Sequence, residues 1–131
     1  MTTNETNNSP FGDVIYQYTR AQAIEDGTLI DVTETAREAG ITFATAVTAA
    51  VWEHCVTVPQ TASWQDESGR LWDVLTMLRY AIKRSTGGQQ VNFTVAVQND
   101  ERPPRPVHLN ALCGPGDRGE PVITIMLPEE D

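Results

Sequence analysis

The sequence lacks a long apolar run, a secretory leader and more than two cysteines. Its 131 residues contain no stretch of about 18 consecutive apolar residues, the length that a membrane-spanning helix requires. The first ten residues, MTTNETNNSP, have neither the basic start nor the apolar centre of a secretory signal. Cys55 and Cys113 do not form a disulfide framework in a chain this rich in apolar residues. We therefore predict a protein of the reducing cytoplasm with no membrane partner.

Positive charge is also scarce. Nine Lys and Arg residues stand against 18 Asp and Glu residues, which gives a formal net charge of -9. That surplus argues against direct binding to nucleic acid or to an anionic membrane, because both require a cationic surface. It is compatible with a soluble protein, or with one whose partner is basic. The 40% of hydrophobic residues and the modest length indicate a single globular domain.

Residues with reactive or metal-binding side chains are few and poorly spaced. The candidate zinc ligands are His54, Cys55, His108 and Cys113. His54 and Cys55 would diverge by about 100° on a helix, and an odd separation puts His108 and Cys113 on opposite faces of a strand. A Cys–His nucleophilic pair is disfavoured too, because Cys55 is expected on an apolar helix face as a core residue beside a core histidine, His54. Cys113, at a strand end, is the more plausible nucleophile, but no recognisable local sequence motif surrounds it. We predict no metal and no cofactor.

The first half of the chain consists of short extended and helical patterns. Thr19 is a candidate helix cap, and Gly27 and Gly40 are candidate helix ends. The polar residues 1–10 predict a flexible tail before a single domain over residues 11–128. The predicted elements are a strand at 14–18, a helix at 20–26, an extended piece at 28–32, a helix at 33–39 and a larger helix at 45–55.

The second half contains the clearest helix and three strands. Residues 70–84 place Leu71, Val74, Leu75, Leu78 and Ile82 on one stripe, which Trp72 is expected to widen. Alternating apolar residues then predict strands at 91–98 and 107–112. The run at 122–127, VITIML, is apolar on both faces and predicts a strand in the centre of the sheet, before an acidic tail at 129–131. The sequence therefore predicts an α+β fold, with small helices and two larger amphipathic helices on a mainly antiparallel sheet whose last three strands are C-terminal.

The loop CGPGDRGEP, residues 113–121, joins the last two predicted strands. A phosphate-binding glycine loop usually leads from a strand into a helix, whereas this one leads from strand to strand, and Asp117 and Glu120 repel phosphate. Its three glycines are better explained by a hairpin that requires positive φ angles. We predict a connector; if it contacts a ligand, Arg118 at its tip is the expected contact.

Paired carboxylates are numerous in this chain. Each pair falls at a predicted helix end, in a loop or in the tail, whereas a general acid requires a carboxyl group buried enough to raise its pKa. These pairs therefore predict solvated surface rather than a catalytic site. The pairs are Glu25 with Asp26, Asp66 with Glu67, Asp100 with Glu101, and Glu129 with Glu130.

The stretch VIYQYTRAQAIEDGTLIDV resembles the opening of ADP-ribosyltransferase-like domains, in which the first strand carries a His or Arg that holds NAD. Tyr18, Thr19 and Arg20 stand at the corresponding place. The later strand motif and the final Glu of that class have no assigned counterpart here. The resemblance implies an alternative function, a nucleotide-cofactor-using transferase with its site at residues 16–20 and with Tyr18 and Arg20 as catalytic residues.

A broader resemblance covers the chain from Phe11 onward, through AVTAAVWEHCV, DESGRLWDVLTMLRYAI and the C-terminal CGPGDRGEPVITIMLPEED. These stretches resemble an uncharacterised family of small proteins encoded on plasmids and integrative elements. The resemblance implies a mobile-element context, in which small acidic proteins block host restriction or CRISPR systems.

Charge and resemblance together favour a non-enzymatic binding protein, an inhibitor of a host nucleic-acid-handling defence complex of the anti-CRISPR or anti-restriction type. Its partner would be a protein with a basic surface, because an acidic surface can occupy a groove that otherwise holds phosphates. An acidic soluble protein without mimicry remains open on charge alone. The predicted binding residues are Asp100, Glu101, Asp117, Arg118, Glu129 and Glu130.

Overall fold

The fold is built on one five-stranded sheet with the strand order β1-β2-β5-β4-β3. The computed structural model describes residues 17–130. β2 and β5 are parallel and the other neighbours are antiparallel, so the predicted α+β class with a mainly antiparallel sheet is confirmed. The strands are β1 (Leu29–Asp31), β2 (Ala44–Thr48), β3 (Gln90–Val97), β4 (Arg105–Pro115) and β5 (Pro121–Met126).

Short helices lie between the early strands, and one long helix covers a face of the sheet. The core lies between the long helix and that face, where Leu75, Leu78, Leu109 and Ile125 are fully buried. None of the helices over residues 17–130 combines the length and apolar character that a bilayer crossing requires. The helices are α1 (Arg20–Glu25), α2 (Thr33–Glu38), α3 (Ala49–Val51) and α4 (Glu67–Arg84). Helix α3 continues as a π-helical turn (Trp52–Val56), and two 3-10 turns lie at Gln60–Ala62 and Pro128–Glu130.

The predicted helix at 45–55 is wrong in its first part, because residues 44–48 form the strand β2. Thr45, Ala46 and Val47 are all buried, since β2 lies inside the sheet and is covered on both faces. A strand of this kind has no apolar–polar alternation, and its pattern resembles that of a buried helix. The helix begins only after Thr48, whose side-chain oxygen accepts a hydrogen bond from the backbone N–H of Val51.

Helix α4 follows the predicted stripe, with two differences. It begins at Glu67, three residues before the predicted start at residue 70, because the Asp66 carboxylate caps it by accepting a hydrogen bond from Gly69 N at 2.7 Å. Trp72 does not widen the buried stripe; it is 42% exposed, and Ile82 is 36% exposed while Ala81 is buried. An exposed tryptophan on a helix is therefore one feature that the sequence stripe did not predict.

The loop at residues 113–121 is a hairpin connector between β4 and β5, as predicted. β4 continues to Pro115, which pairs with Pro121, so Gly114 lies within a strand opposite Val122. Of the loop glycines only Gly119 has a positive φ, 81°, and the positive φ predicted for Gly114 and Gly116 is wrong. A Cβ at Gly116 would lie 2.6 Å from the carboxylate of the exposed Glu120, so a side chain there would displace that carboxylate.

Some predictions concern residues outside 17–130 or at the edge of that range. The flexible tail at 1–10 and most of the strand at 14–18 lie outside the described residues, and Gln17 and Tyr18 are not in a strand. At the other end, the residues expected to form an acidic tail begin as the 3-10 turn Pro128–Glu130. Glu130 Oε1 there accepts hydrogen bonds from Thr48 Oγ1 and from Leu127 N, each at 2.8 Å.

Candidate functional site

Carboxylates concentrate at one end of the sheet, where β2, β3 and β5 finish. These three strands run in the same direction, so the start of α4, the loop between β3 and β4, and the turn after β5 all lie toward this end. At the opposite end, the last turns of α4 carry Arg79, Lys83 and Arg84. We call the first region the acidic end; its carboxylates, all exposed except the half-buried Asp100, are Glu53, Asp66, Glu67, Asp100, Glu101, Glu129 and Glu130.

A groove of about 520 Å³ lies at the acidic end, between β3 and the first turns of α4. Two tryptophans form part of its wall: Trp64 is 58% exposed and Trp72 is 42% exposed. In the part of the chain that the structure describes, neither indole N–H has a hydrogen-bond acceptor. Large aromatic side chains left open in this way are typical of binding surfaces. We call this feature the tryptophan groove; its other lining residues include Asp66, Asp73, Val95, Ala96, Gln98 and Pro104.

The floor of the tryptophan groove is a buried arginine, Arg70, which is only 5% exposed. Its guanidinium joins three segments of the chain through four N–H groups. Burial lowers the pKa of Arg70, and the nearby Asp73 carboxylate opposes that change. The acceptors are Cys55 O (2.9 Å from Nε), Gln65 Oε1 and Gln98 O (each 3.2 Å from Nη1), and Asn99 Oδ1 (2.9 Å from Nη2).

The groove favours cations over anions. Arg70 has five N–H donors, and neutral oxygens of the protein already accept four of them. Asp73 is exposed at the wall and makes no hydrogen bond or ion pair with residues 17–130. Asp66 adds a second carboxylate. The lining thus carries two carboxylates against the one guanidinium of Arg70, so its net charge is negative and favours a cation, whereas an anion would find one remaining donor.

Strand β3, along the groove, forms an open edge of the sheet. β4 is its neighbour on one side, and over residues 17–130 no strand pairs with its other side. Its sequence, QVNFTVAV, contains no charge and no proline, the features that usually prevent an edge strand from pairing with another chain. Val95, Ala96 and Val97 of this edge also line the groove. The geometry suits an extended peptide segment laid beside β3.

The predicted binding acids at the acidic end are partly engaged within the chain. Asp100 pairs with Arg102 at 2.6 Å, and this hydrogen bond lowers the pKa of Asp100. Glu130 holds the C-terminal turn against Thr48. Glu101 and Glu129 are exposed and make no such contacts among the described residues. The structure thus brings four of the six predicted residues to the acidic end, where Glu101 and Glu129 have uncommitted carboxylates.

The other two predicted binding residues lie in the β4–β5 hairpin, away from the acidic end. Asp117 acts as a cap for α1, because its two carboxylate oxygens accept hydrogen bonds from Arg20 N at 2.8 Å and Ala21 N at 3.0 Å. These bonds lower the pKa of Asp117. Arg118 is exposed at the tip. Asp117 therefore has a structural task that the sequence pattern did not predict.

Tyr18 and Arg20, the residues of the transferase alternative, make contacts that hold the start of the described chain in place. The Arg20 guanidinium donates to Thr124 Oγ1 at 2.6 Å and to Ile123 O at 2.9 Å. Burial lowers the pKa of Arg20, and nearby carboxylates, Asp31 foremost, oppose this. The Tyr18 hydroxyl donates to the Asp26 carboxylate. Tyr16 lies outside the described residues. These contacts favour a structural role for Arg20 and give the alternative no support.

The histidines and cysteines occupy different environments in the fold. Cys55 is buried as predicted, and burial raises the pKa of its thiol to about 11. His54 is exposed, so its predicted core position is wrong, although its Nδ1 does have a backbone partner, Ala50 O, at 2.9 Å. His108 lies on the exposed face beside Thr94. Across residues 17–130, no three His, Cys, Asp or Glu side chains are grouped so that they could hold a metal ion.

Sequence reasoning missed the main parts of the tryptophan groove. Trp64 is the one large apolar residue in an otherwise polar loop, PQTASWQDESG, and that isolation was a usable signal of an exposed aromatic. The position of Trp72 borders the apolar stripe of α4, so the periodicity alone predicts a core residue there. Arg70 carried no signal, since its acceptors at residues 98 and 99 are distant in sequence.

Comparison with known proteins supports the expectation of an uncharacterised family. A family model described as a family of unknown function, DUF6573, matches residues 7–131. No curated protein and no solved structure matches the chain. The match covers nearly all of the sequence, so this protein belongs to the family of unknown function DUF6573.

Proposed function

We propose that the protein works by binding a basic segment of another protein in the tryptophan groove, and that it is not an enzyme. One observation carries the proposal: two exposed tryptophans, Trp64 and Trp72, flank a groove whose wall also contains Asp66 and Asp73. Lys and Arg side chains bind favourably over aromatic faces, and carboxylates at the same place strengthen that preference. Tryptophan is also the residue type most enriched among energetically dominant interface contacts.

The open edge of β3 supplies a way to hold such a segment. An extended peptide that adds to a sheet edge gains main-chain hydrogen bonds, while alternate side chains reach neighbouring pockets. Beside β3, those side chains would lie next to Trp72 and Ala96. Main-chain bonds would then supply affinity, and the carboxylates would select Lys or Arg at alternate positions.

The proposed partner is a nucleic-acid-handling protein complex of the host, and the proposed context is a mobile genetic element acting in the cytoplasm. The net charge of -9 and the concentration of carboxylates at the acidic end support a partner with a phosphate-binding surface. The two free thiols, Cys55 and Cys113, support a reducing compartment. In this scheme the protein inhibits by holding a basic segment that would otherwise contact the phosphates of nucleic acid, as an anti-CRISPR or anti-restriction protein would.

Replacing Trp72 by alanine tests the groove directly. The probe is a fluorescein-labelled peptide of alternating arginine and valine, and the measurement is its dissociation constant by fluorescence anisotropy. We expect Trp72→Ala to weaken binding by about thirtyfold, because a central aromatic contact contributes about 2 kcal/mol. Trp64→Ala should act in the same direction.

Tyr80→Ala is the matched control for this experiment. Tyr80 is a 50% exposed aromatic residue on the same helix, and it does not line the groove. Its replacement should change the dissociation constant by less than about twofold, since scattered surface residues contribute little to an interface elsewhere. Equal losses in the Trp72 and Tyr80 variants, or no loss in either, would contradict the proposed site.

A further inference from the structure

A second cavity, of about 450 Å³, lies at the end of α4 away from the tryptophan groove. It is bounded by the loop that precedes β2, the last turns of α4 and the near ends of β3, β4 and β5. Its walls are mainly apolar, and two of the apolar residues are partly open, Phe43 at 40% and Ile82 at 36%. A cavity of this size and character suits a small apolar molecule.

The charged groups that line this second cavity are all cationic. Arg79 and Lys83 line it, and no Asp or Glu is among its lining residues in the described part of the chain. This is unusual in a protein with 18 acidic and nine basic residues. A ligand in the cavity would therefore combine an apolar body with a negative head group.

The absence of a side chain at Gly40 leaves room for the Arg79 guanidinium at the cavity. Gly40 has a φ of 94°, and a Cβ there would lie 1.5 Å from Arg79 Nη1, so a side chain at residue 40 would displace the guanidinium. Arg79 Nη1 donates to Ala39 O at 3.1 Å, and over residues 17–130 its other N–H groups have no acceptor. The hydrogen bond to Ala39 O thus holds the guanidinium, and its remaining N–H groups are available to a ligand.

We propose that this cavity binds an apolar carboxylate of about the size of a medium-chain fatty acid, with its chain among Phe43, Leu78 and Ile82 and its carboxylate between Arg79 and Lys83. Charge-assisted hydrogen bonds from both cations hold the head group. This site lies apart from the tryptophan groove, and it binds its ligand whether or not a basic protein segment occupies that groove.

Calorimetric titration with three ligands of equal chain length tests the proposal. Decanoate, decanol and decylamine differ only in head group. We expect decanoate to bind at least about tenfold more tightly than decanol, and decylamine to bind more weakly than either, because only the carboxylate pairs with the two cations. Decanol binding as tightly as decanoate would overturn the proposal.

Two charge-reversal variants make a matched pair for the same titration. Lys83 lines the cavity, whereas its neighbour Arg84 does not. Lys83→Glu should weaken decanoate binding by about tenfold or more, and Arg84→Glu, with the same change in net charge, by less than about twofold. Equal effects in the two variants would show general electrostatic attraction and overturn the site.

The alkylation rate of Cys113 gives an independent test of where the ligand binds. It is half-buried and lines the cavity, while Cys55 is fully buried and does not line it. Saturating decanoate should slow alkylation of Cys113 by iodoacetamide, with the modified cysteine identified by peptide mass spectrometry. An unchanged rate at Cys113 would overturn the proposal. If raised protein concentration without decanoate slows the alkylation of Cys113, a second copy of the chain covers the cavity. That result would also overturn the proposal.

Discussion

Replacing Arg70 by methionine is expected to lower the free energy of unfolding by about 3 kcal/mol, measured by urea denaturation. Methionine fills a similar space but donates no hydrogen bond, so Cys55 O, Gln98 O and the Asn99 side chain lose their donor. The Cys55 carbonyl is a buried acceptor, the acceptors at Gln98 and Asn99 are partly buried, and each hydrogen bond to the charged guanidinium contributes about 1 kcal/mol or more. The effect is large because one side chain joins the π-helical turn, the loop before α4 and the loop after β3.

Two further variants separate the hydrogen bonds of Arg70 from its charge. Arg70→Lys keeps the charge but cannot reproduce the planar set of donors, so it should recover less than half of the lost stability. Arg84→Met removes an exposed arginine of the same helix and should change stability by less than about 0.5 kcal/mol. If Arg70→Met is no less stable than Arg84→Met, the guanidinium does not hold these segments together.

Reversing two carboxylates near the tryptophan groove is expected to weaken binding of the arginine–valine peptide by about a hundredfold at about 50 mM salt. The variant is Asp73→Lys combined with Glu101→Lys. Asp73 lines the groove and Glu101 lies in the adjoining loop, and both are exposed, so the fold should be retained. Each reversal replaces an attraction with a repulsion, and raised salt should reduce the difference.

The matched control reverses two carboxylates elsewhere on the surface. Glu25→Lys combined with Glu38→Lys produces the same change in net charge, and both residues are exposed at the ends of the short helices α1 and α2. This double variant should weaken peptide binding by less than about threefold, through long-range attraction alone. Equal weakening in the two double variants would mean that the peptide responds to net charge and not to the groove.

The elements predicted well from the sequence are those whose periodicity reflects one buried face. Residues 70–84 and the strands β3 and β4 each have one apolar face, and their spacing predicts helix or strand directly. β5 is apolar on both faces, and that short run predicts a strand in the centre of the sheet, where the strand order places it. β2 was missed because a central strand is buried on both faces and has no alternation. The spacing of apolar residues in this Ala-rich segment fits a helix as well as a strand. Only the pairing of β2 with β5 decides between the two.

The candidate site was predicted less well, because it depends on contacts between distant residues. Asp117 caps a helix 97 residues earlier in the chain, and Arg70 bonds to residues 28 and 29 positions later. Such contacts leave no pattern in the neighbouring sequence. The charge and loop position of Asp117 therefore predict a binding residue, whereas its role as a cap depends on a distant helix. Charge alone predicted Asp100 and Glu101 as binding residues; the loop that carries them adjoins the tryptophan groove at Gln98 and Pro104, and their role in binding stays a prediction.

The most direct test of binding in the tryptophan groove uses the three tryptophans as reporters. Trp64 and Trp72 line the groove, whereas Trp52 is half-buried in the turn after α3 and does not line it. The measurement is the chemical shift of each indole N–H in an ¹H–¹⁵N spectrum of the full chain as the arginine–valine peptide is added. We predict that the Trp64 and Trp72 signals move together in a saturable way while the Trp52 signal stays in place. A saturable shift confined to Trp52, or no shift of any indole signal while the peptide binds, would contradict this site.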